Sequence, residues 1–241
     1  MIAGLAAMAP ITAHARAASS SLKALSGDRF MSNDQEFLLA DIIAPPLYSL
    51  NEGKPPHFES SRAALDKILS EMVETSEALP PTRWGVRRVI AHKADGQSLQ
   101  AVLVASGAAR VRPQSPDQTH IQNLLAVESV ARKEQRGLWG LPDYRVHNAN
   151  SAEGAIGNYN LIEGVVTSAE KHGGRYYLNF GDDYRTDFTA GAAAALNSKW
   201  LKAGTDLSAM AGARLRVRGY VEAINGPSID LKHHLQIEQL G

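Results

Sequence analysis

The stretch ADGQSLQAVLVASGAARV, residues 94–111, holds a turn, an apolar run and a strand in close succession. Ala94-Asp95-Gly96 is turn chemistry, because Asp bonds to its own backbone and Gly accepts a positive φ. SLQAVLVASG then forms a short helix or strand, and AARVRP resumes a strand. Downstream, THIQNLLAVESVARKEQRG (119–137) carries Ile121, Leu124, Leu125 and Ala131 at helical spacing. The pattern predicts a helix capped by Thr119 and ended by Gly137. Upstream, Trp84–His92 is strand-like, and a helix is predicted over residues 61–74, capped by Ser60, with Leu65, Ile68, Leu69, Met72 and Val73 on one face. Residues 21–44 alternate strands with tight turns at 26–28 and 32–35, before a Pro-rich loop.

A second unit follows. Residues 143–157 are rich in Asn, Ser, Ala and Gly and carry the composition of a linker. Residues 158–241 contain three strand-like runs, a helical insert, and two more strands joined by Asn225-Gly226, a hairpin signal. Five strands with a helix after the third is the pattern of an OB-type barrel. Gly173-Gly174 is another hairpin turn; no helix or Lys-Ser/Thr follows to complete a phosphate loop.

Composition narrows the function classes. The 25 basic residues balance 25 acidic ones, and the chain has no cysteine. Disulfides, thiolate metal sites and cysteine nucleophiles are therefore excluded. Residues 158–241 hold nine basic and nine acidic residues, so any nucleic-acid contact needs a local basic patch. Residues 1–17 are apolar and small, with Ala13-His14-Ala15 and Ala15-Arg16-Ala17 fitting the cleavage pattern of a secretory signal. This segment predicts a bacterial-type signal peptide and a periplasmic or secreted mature protein without a membrane span.

The pieces ADGQSLQAVLVASGAARV and ARKEQRGLWG (131–140), in this order and spacing, resemble the thermonuclease (staphylococcal-nuclease-like) family over about residues 22–142. The resemblance implies an OB-type barrel with added helices. It also implies, for active members, calcium-dependent hydrolysis of DNA or RNA phosphodiesters. Residues 158–241 resemble an accessory OB-like domain. The expected fold class is thus mainly β, with two OB-type barrels, the first bearing nuclease-like helices.

Carried over residue by residue, the resemblance leaves little chemistry. Asp28, after Gly27, matches the family's first metal aspartate, while Ser26 stands where a further acid is common. Aligned on Pro45, Leu38 replaces an arginine, Ile43 the second metal aspartate and Pro46 a glutamate. In the aromatic-Gly-Arg motif, Trp84-Gly85-Val86 lacks the arginine. Asp41 and Arg88 are the nearby candidates for compensation, so the catalytic candidates are Asp28, Asp41 and Arg88, with Asp28 the metal candidate. The expectation is a degenerate site and a non-catalytic binding protein with no cofactor. The alternatives are a calcium-dependent phosphodiesterase with a rearranged site, or a different family altogether.

The binding candidates are Arg214, Arg216, Arg218 and Tyr220, which alternation puts on one strand face. Such a stripe suits single-stranded nucleic acid, unless neighbouring acids neutralise it; an envelope protein is the other partner class. Arg110-Val111-Arg112 forms a smaller basic patch. His233-His234 face opposite ways on a strand and do not suit one metal ion. Trp139 is expected to plug the core at a helix end.

Overall fold

A computed structural model describes residues 15–16, 22–46, 57–69 and 73–241. The predicted signal segment, the Pro-rich loop and Met72 fall largely or wholly outside these residues. In chain order the first unit contains β1 (Ala15–Arg16), β2 (Lys23–Ala24), β3 (Arg29–Ser32), β4 (Gln35–Leu39), β5 (Ile42–Ile43), α1 (Phe58–Ile68), β6 (Val73–Leu79), β7 (Arg87–Lys93), α2 (Leu99–Ala105), β8 (Arg110–Val111) and α3 (Gln118–Lys133). The main sheet runs β1-β6-β7-β4-β3-β2, and β5 pairs separately with β8. Only the β4·β7 contact of this sheet is parallel. Leu39, Leu65, Val89, Leu99, Leu103, Ile121 and Leu124 meet in one apolar core between sheet and helices.

Two glycines tie the quoted stretches together. Gly107 (φ +71°) and Gly137 (φ +51°) lie in the left-handed region and touch each other. A Cβ on Gly107 would stand 2.1 Å from the Arg136 carbonyl oxygen, and one on Gly137 would stand 2.6 Å from the Gly107 oxygen. The Leu138 N–H donates to that same Gly107 oxygen at 2.9 Å. The end of α2 and the end of α3 therefore close on one another only without side chains at both positions.

Several local expectations shift. The 98–107 run resolves as a helix, α2, capped by the Ser98 hydroxyl, which accepts the Ala101 N–H. For α3 the cap is Asp117, whose carboxylate accepts the His120 N–H at 2.9 Å, and Thr119 lies inside the helix. The first helix begins earlier than expected, after His57, and the Ser60 hydroxyl donates to the His57 carbonyl instead of capping. Val73 and Glu74 belong to β6, where they pair with Lys93 and His92. Sequence alternation did not expose β6, because its burial is irregular and a register shift interrupts it between Glu77 and Leu79.

The second unit comprises β9 (His147–Asn148), β10 (Tyr159–Val165), β11 (Ser168–His172), β12 (Arg175–Asn179), β13 (Thr189–Ala193), α4 (Ala194–Trp200), β14 (Arg214–Ala223), β15 (Pro227–Asp230) and β16 (Ile237–Leu240). Its sheet follows β11-β12-β13-β15-β14-β10-β9, with β16 on β14. Asn225 (φ +50°) and Gly226 (φ +82°) make the predicted hairpin between β14 and β15. The segment assigned to a linker is built in: Ala149, Ala152 and Ala155 are buried in the second core, beside Phe180, Leu215 and Ile229. Among the described residues no helix is long and apolar enough to cross a membrane. The fold is mainly β, with added helices.

Charged and polar side chains join the units. Arg218 of β14 is 1% exposed and reaches Glu128 of α3 at 2.7 Å, with Glu238 of β16 on its other amino group. The same guanidinium donates to the Val111 carbonyl at 3.1 Å. The Glu128 carboxylate, fully buried, accepts the Val111 N–H at 2.6 Å, and the Tyr159 hydroxyl donates to the Val111 carbonyl at 2.9 Å. From the opposite direction Arg110 donates to the Tyr159 carbonyl and to Asn160. Trp139 and Ala131 pack on Leu161 of β10, so the expected core plug sits at the junction. Removing one partner of a buried ion pair strands the other charge, which costs about 3–5 kcal/mol. Glu128→Ala is therefore expected to lose about that much stability in urea denaturation. A loss below about 1 kcal/mol would place the pair with solvent-exposed bridges.

Candidate functional site

Asp28, which matches the family's first aspartate, and Asp41, the nearby candidate, are both occupied, and with different partners. Gly27 lets the turn before Asp28 press against α1 and the end of β5, since a Cβ there would lie 2.7 Å from the Cβ atoms of both Ala44 and Ser61. Asp28 then accepts the Ser26 hydroxyl at 2.6 Å on one oxygen and the Ala44 N–H at 3.2 Å on the other. Burial raises its carboxyl above the ordinary value. The Ser26 and Ala44 hydrogen bonds, and the charges of Arg29 and Arg112, oppose that rise without cancelling it.

Asp41 stands in a turn and not on a strand. It has φ +62°, between β4 and β5, a conformation that Asp tolerates better than most residues. It is fully buried, and one carboxylate oxygen accepts the N–H groups of Gln114 and Ser115, both at 2.8 Å. The other oxygen has no hydrogen-bond partner. Its backbone carbonyl accepts the Arg112 N–H at 2.8 Å. Asp41 thus organises the loop between β8 and α3. Burial lowers the pKa values of the neighbouring His120 and His233 imidazoles, and the Asp41 charge opposes this in both.

Calcium takes six to eight oxygen ligands. Here Asp28 and Asp41 serve separate backbone segments, and apolar Ile43 and exposed Pro46 stand at the other expected ligand positions. Among the described residues no group of three or more His, Asp or Glu side chains is placed to hold a metal ion. The residues present therefore do not fit the calcium that the fold implies. Val86 is buried, while Trp84 is 74% exposed under the Arg83 guanidinium, 4.0 Å from its ring centre.

The arginine stripe of β14 is on one face, but acids already hold it. Arg214 pairs with Glu163 at 2.5 Å; Arg216 pairs with Glu163 at 2.8 Å and Glu238 at 3.0 Å; Arg218 is buried as described. Burial acts to raise the Glu238 carboxyl, yet Arg218, Arg132 and Arg216 outweigh it and hold the group below its ordinary range. The neutralising acids are Glu163, Glu238 and Glu128, from β10, β16 and α3, and not the nearby Asp182, Asp183 or Asp187. Of the four candidates, Tyr220 lines a cleft that the other three do not.

That cleft lies between the two units and has a volume of about 290 Å3. Arg88 and Arg112 enter it from the first unit, and Tyr159, Tyr220, Glu222 and Asp230 from the second. Arg88 does not turn toward Asp28 for support; its Nε donates to the Pro80 carbonyl at 2.7 Å. Arg112 appeared in the sequence only as part of a small basic patch, and Tyr159 carried no signal at all.

A fold with this strand ladder, and with α2 and α3 closing on paired glycines, is thermonuclease-like. The family model described as staphylococcal nuclease homologue matches residues 36–140, which form an SNase-like domain. Asp41 and Arg88 fall inside that match and Asp28 before it. No curated protein matches the chain.

Two substitutions probe these roles. Asp41→Ala leaves two buried N–H groups without an acceptor and is expected to cost about 1–3 kcal/mol in denaturant unfolding, with or without calcium. For Asp28, a raised folded-state pKa means that its contribution is fully present below the ordinary 3.8 and lost as pH rises through the folded value. Asp28→Asn does not titrate, so wild-type stability relative to this variant should fall as pH rises from the ordinary 3.8 in thermal melts. A rise instead would mean an aspartate stabilised as the anion.

Proposed function

We propose that this protein uses a thermonuclease-like fold for binding and not for catalysis. The observation that carries the reading is the employment of Asp28 and Asp41. The Asp28 carboxylate holds the Ala44 amide and the Asp41 carboxylate holds the Gln114 and Ser115 amides, the two share no partner, and neither meets an arginine at ion-pairing distance among the described residues. A phosphodiesterase of this class needs carboxylates free for a metal ion and guanidiniums free for phosphate charge. The replacements at Leu38, Ile43, Pro46 and Val86 support the same reading.

The second unit supports a binding role as an OB-type module. β10 and β11 are separated by only two residues; β11 ends the strand path beside β12, and β10 lies next to its other end, between β14 and β9. One nearly continuous run of chain therefore spans the two sides of the path, and α4 follows β13. The small-residue N-terminal segment supports export, with the mature protein working in the periplasm or outside the cell.

The test is cleavage of single-stranded DNA and RNA with calcium, beside Asp28→Ala. The expected result is no cleavage above that variant, and no calcium-dependent rise in melting temperature, since a ligand bound to the folded state must raise it. Wild-type cleavage that vanishes in Asp28→Ala would falsify the binding-only reading and establish a rearranged nuclease.

A further inference from the structure

We infer that the cleft between the two units is a binding site for a small ring compound carrying one acidic group, a carboxylate or a phosphate, together with hydrogen-bond donors on the ring. The inference rests on the binding-only reading and adds the site and the ligand chemistry.

Three observations define the chemistry. First, the cleft holds two guanidiniums that no acid neutralises. Arg88 spends its Nε on the Pro80 carbonyl, and Arg112 lies 5.2 Å from the centre of the Tyr220 ring. Among the described residues neither has a carboxylate within ion-pairing distance, although Asp28 lies within electrostatic reach of Arg112. Other arginines nearby behave differently: Arg214, Arg216 and Arg218 each have glutamate partners. A planar guanidinium fork matches a carboxylate or phosphate in two hydrogen bonds at once.

Second, the cleft has an aromatic shelf that is built before any ligand arrives. Tyr220 is 47% exposed, high for a large aromatic ring, and Tyr159 meets it edge to face at 5.5 Å. Tyr159 is itself fixed by its hydroxyl bond to the Val111 carbonyl. A fixed aromatic face takes the flat body of a ring at little entropic cost.

Third, the cleft also carries Glu222, two residues from Tyr220 on the same strand, and Asp230, beside Lys232. Asp230 is shared with Arg175 at 2.6 Å and Lys232 at 3.6 Å, while Glu222 is exposed. These acids repel a second negative charge and accept hydrogen bonds from hydroxyl or amine groups. They select a single acid and act against a polyanion. The volume of about 290 Å3 stands at the small end of the roughly 300–1,000 Å3 typical of ligand pockets and suits one substituted ring.

The test is calorimetric titration of the full chain with 4-hydroxybenzoate and with phenyl phosphate, which separate the two acid types. Acetate, inorganic phosphate, phenol and an oligothymidylate serve as comparisons. At least one ring acid should bind about tenfold more tightly than its acid alone and than phenol. Arg112→Gln and Tyr220→Leu should each weaken it about tenfold with the melting temperature unchanged. If Arg112→Gln unfolds, Arg88→Gln and Tyr220→Leu carry the same test. The site is overturned if neither ring acid saturates, if inorganic phosphate or acetate binds as tightly, or if affinity survives Tyr220→Leu. Tighter binding of the oligothymidylate would also overturn it, assigning the cleft to nucleic acid. Failure here with no calcium-dependent cleavage leaves the binding-only reading standing; cleavage removes that reading whatever the titration gives.

Discussion

The buried guanidinium of Arg218 is the constraint on which the arrangement of the two units depends. A charge at that depth is tolerated only when its donors are met, and here Glu128, Glu238 and the Val111 carbonyl meet them. These partners belong to α3, β16 and β8, so one side chain of the second unit fixes a helix and a strand of the first. Val111 is held on both sides, its N–H by Glu128 and its carbonyl by Arg218 and Tyr159. Because β8 cannot move relative to β14, the next residue, Arg112, is presented beside Tyr220, and the cleft between the units has a defined shape.

The same chemistry separates structural arginines from available ones. Arg214, Arg216 and Arg218 share three glutamates in a network that crosses β10, β14, β16 and α3. Binding a nucleic-acid backbone there would require breaking those pairs. Among the described residues Arg88 and Arg112 have no such partners, and both line the concave site half-buried. The aspartates divide in a comparable way. Asp28 was the metal candidate and Asp41 a catalytic candidate, and both act as acceptors for backbone N–H groups, which loops with buried amides require.

Much of the local structure is legible in the sequence where the cause lies within a few residues. The turns at Asn225-Gly226 and Gly173-Gly174 follow from the positive φ that these residues adopt cheaply. The apolar stripe of α3 is correctly placed by periodicity, although its cap moved from Thr119 to Asp117 because both are competent acceptors two residues apart. β6 was not legible, since its stability comes from pairing with β7 and not from its own pattern. Of the candidate site, Tyr220 and Arg88 were named from sequence for separate reasons, and nothing in the sequence said that they line one cleft.

The sequence by itself determined the mainly β fold and the thermonuclease-like motifs. Each of these is a matter of residue identity at a local spacing. Tertiary structure decided which charges are spent and which remain. Glu128 and Arg218 are 90 residues apart, and Asp41 is 73 residues from the Gln114 amide that it holds. Whether a charged side chain is a strut or a ligand contact depends on which opposite group folding brings within about 3 Å of it, and no pattern along the chain encodes that distance.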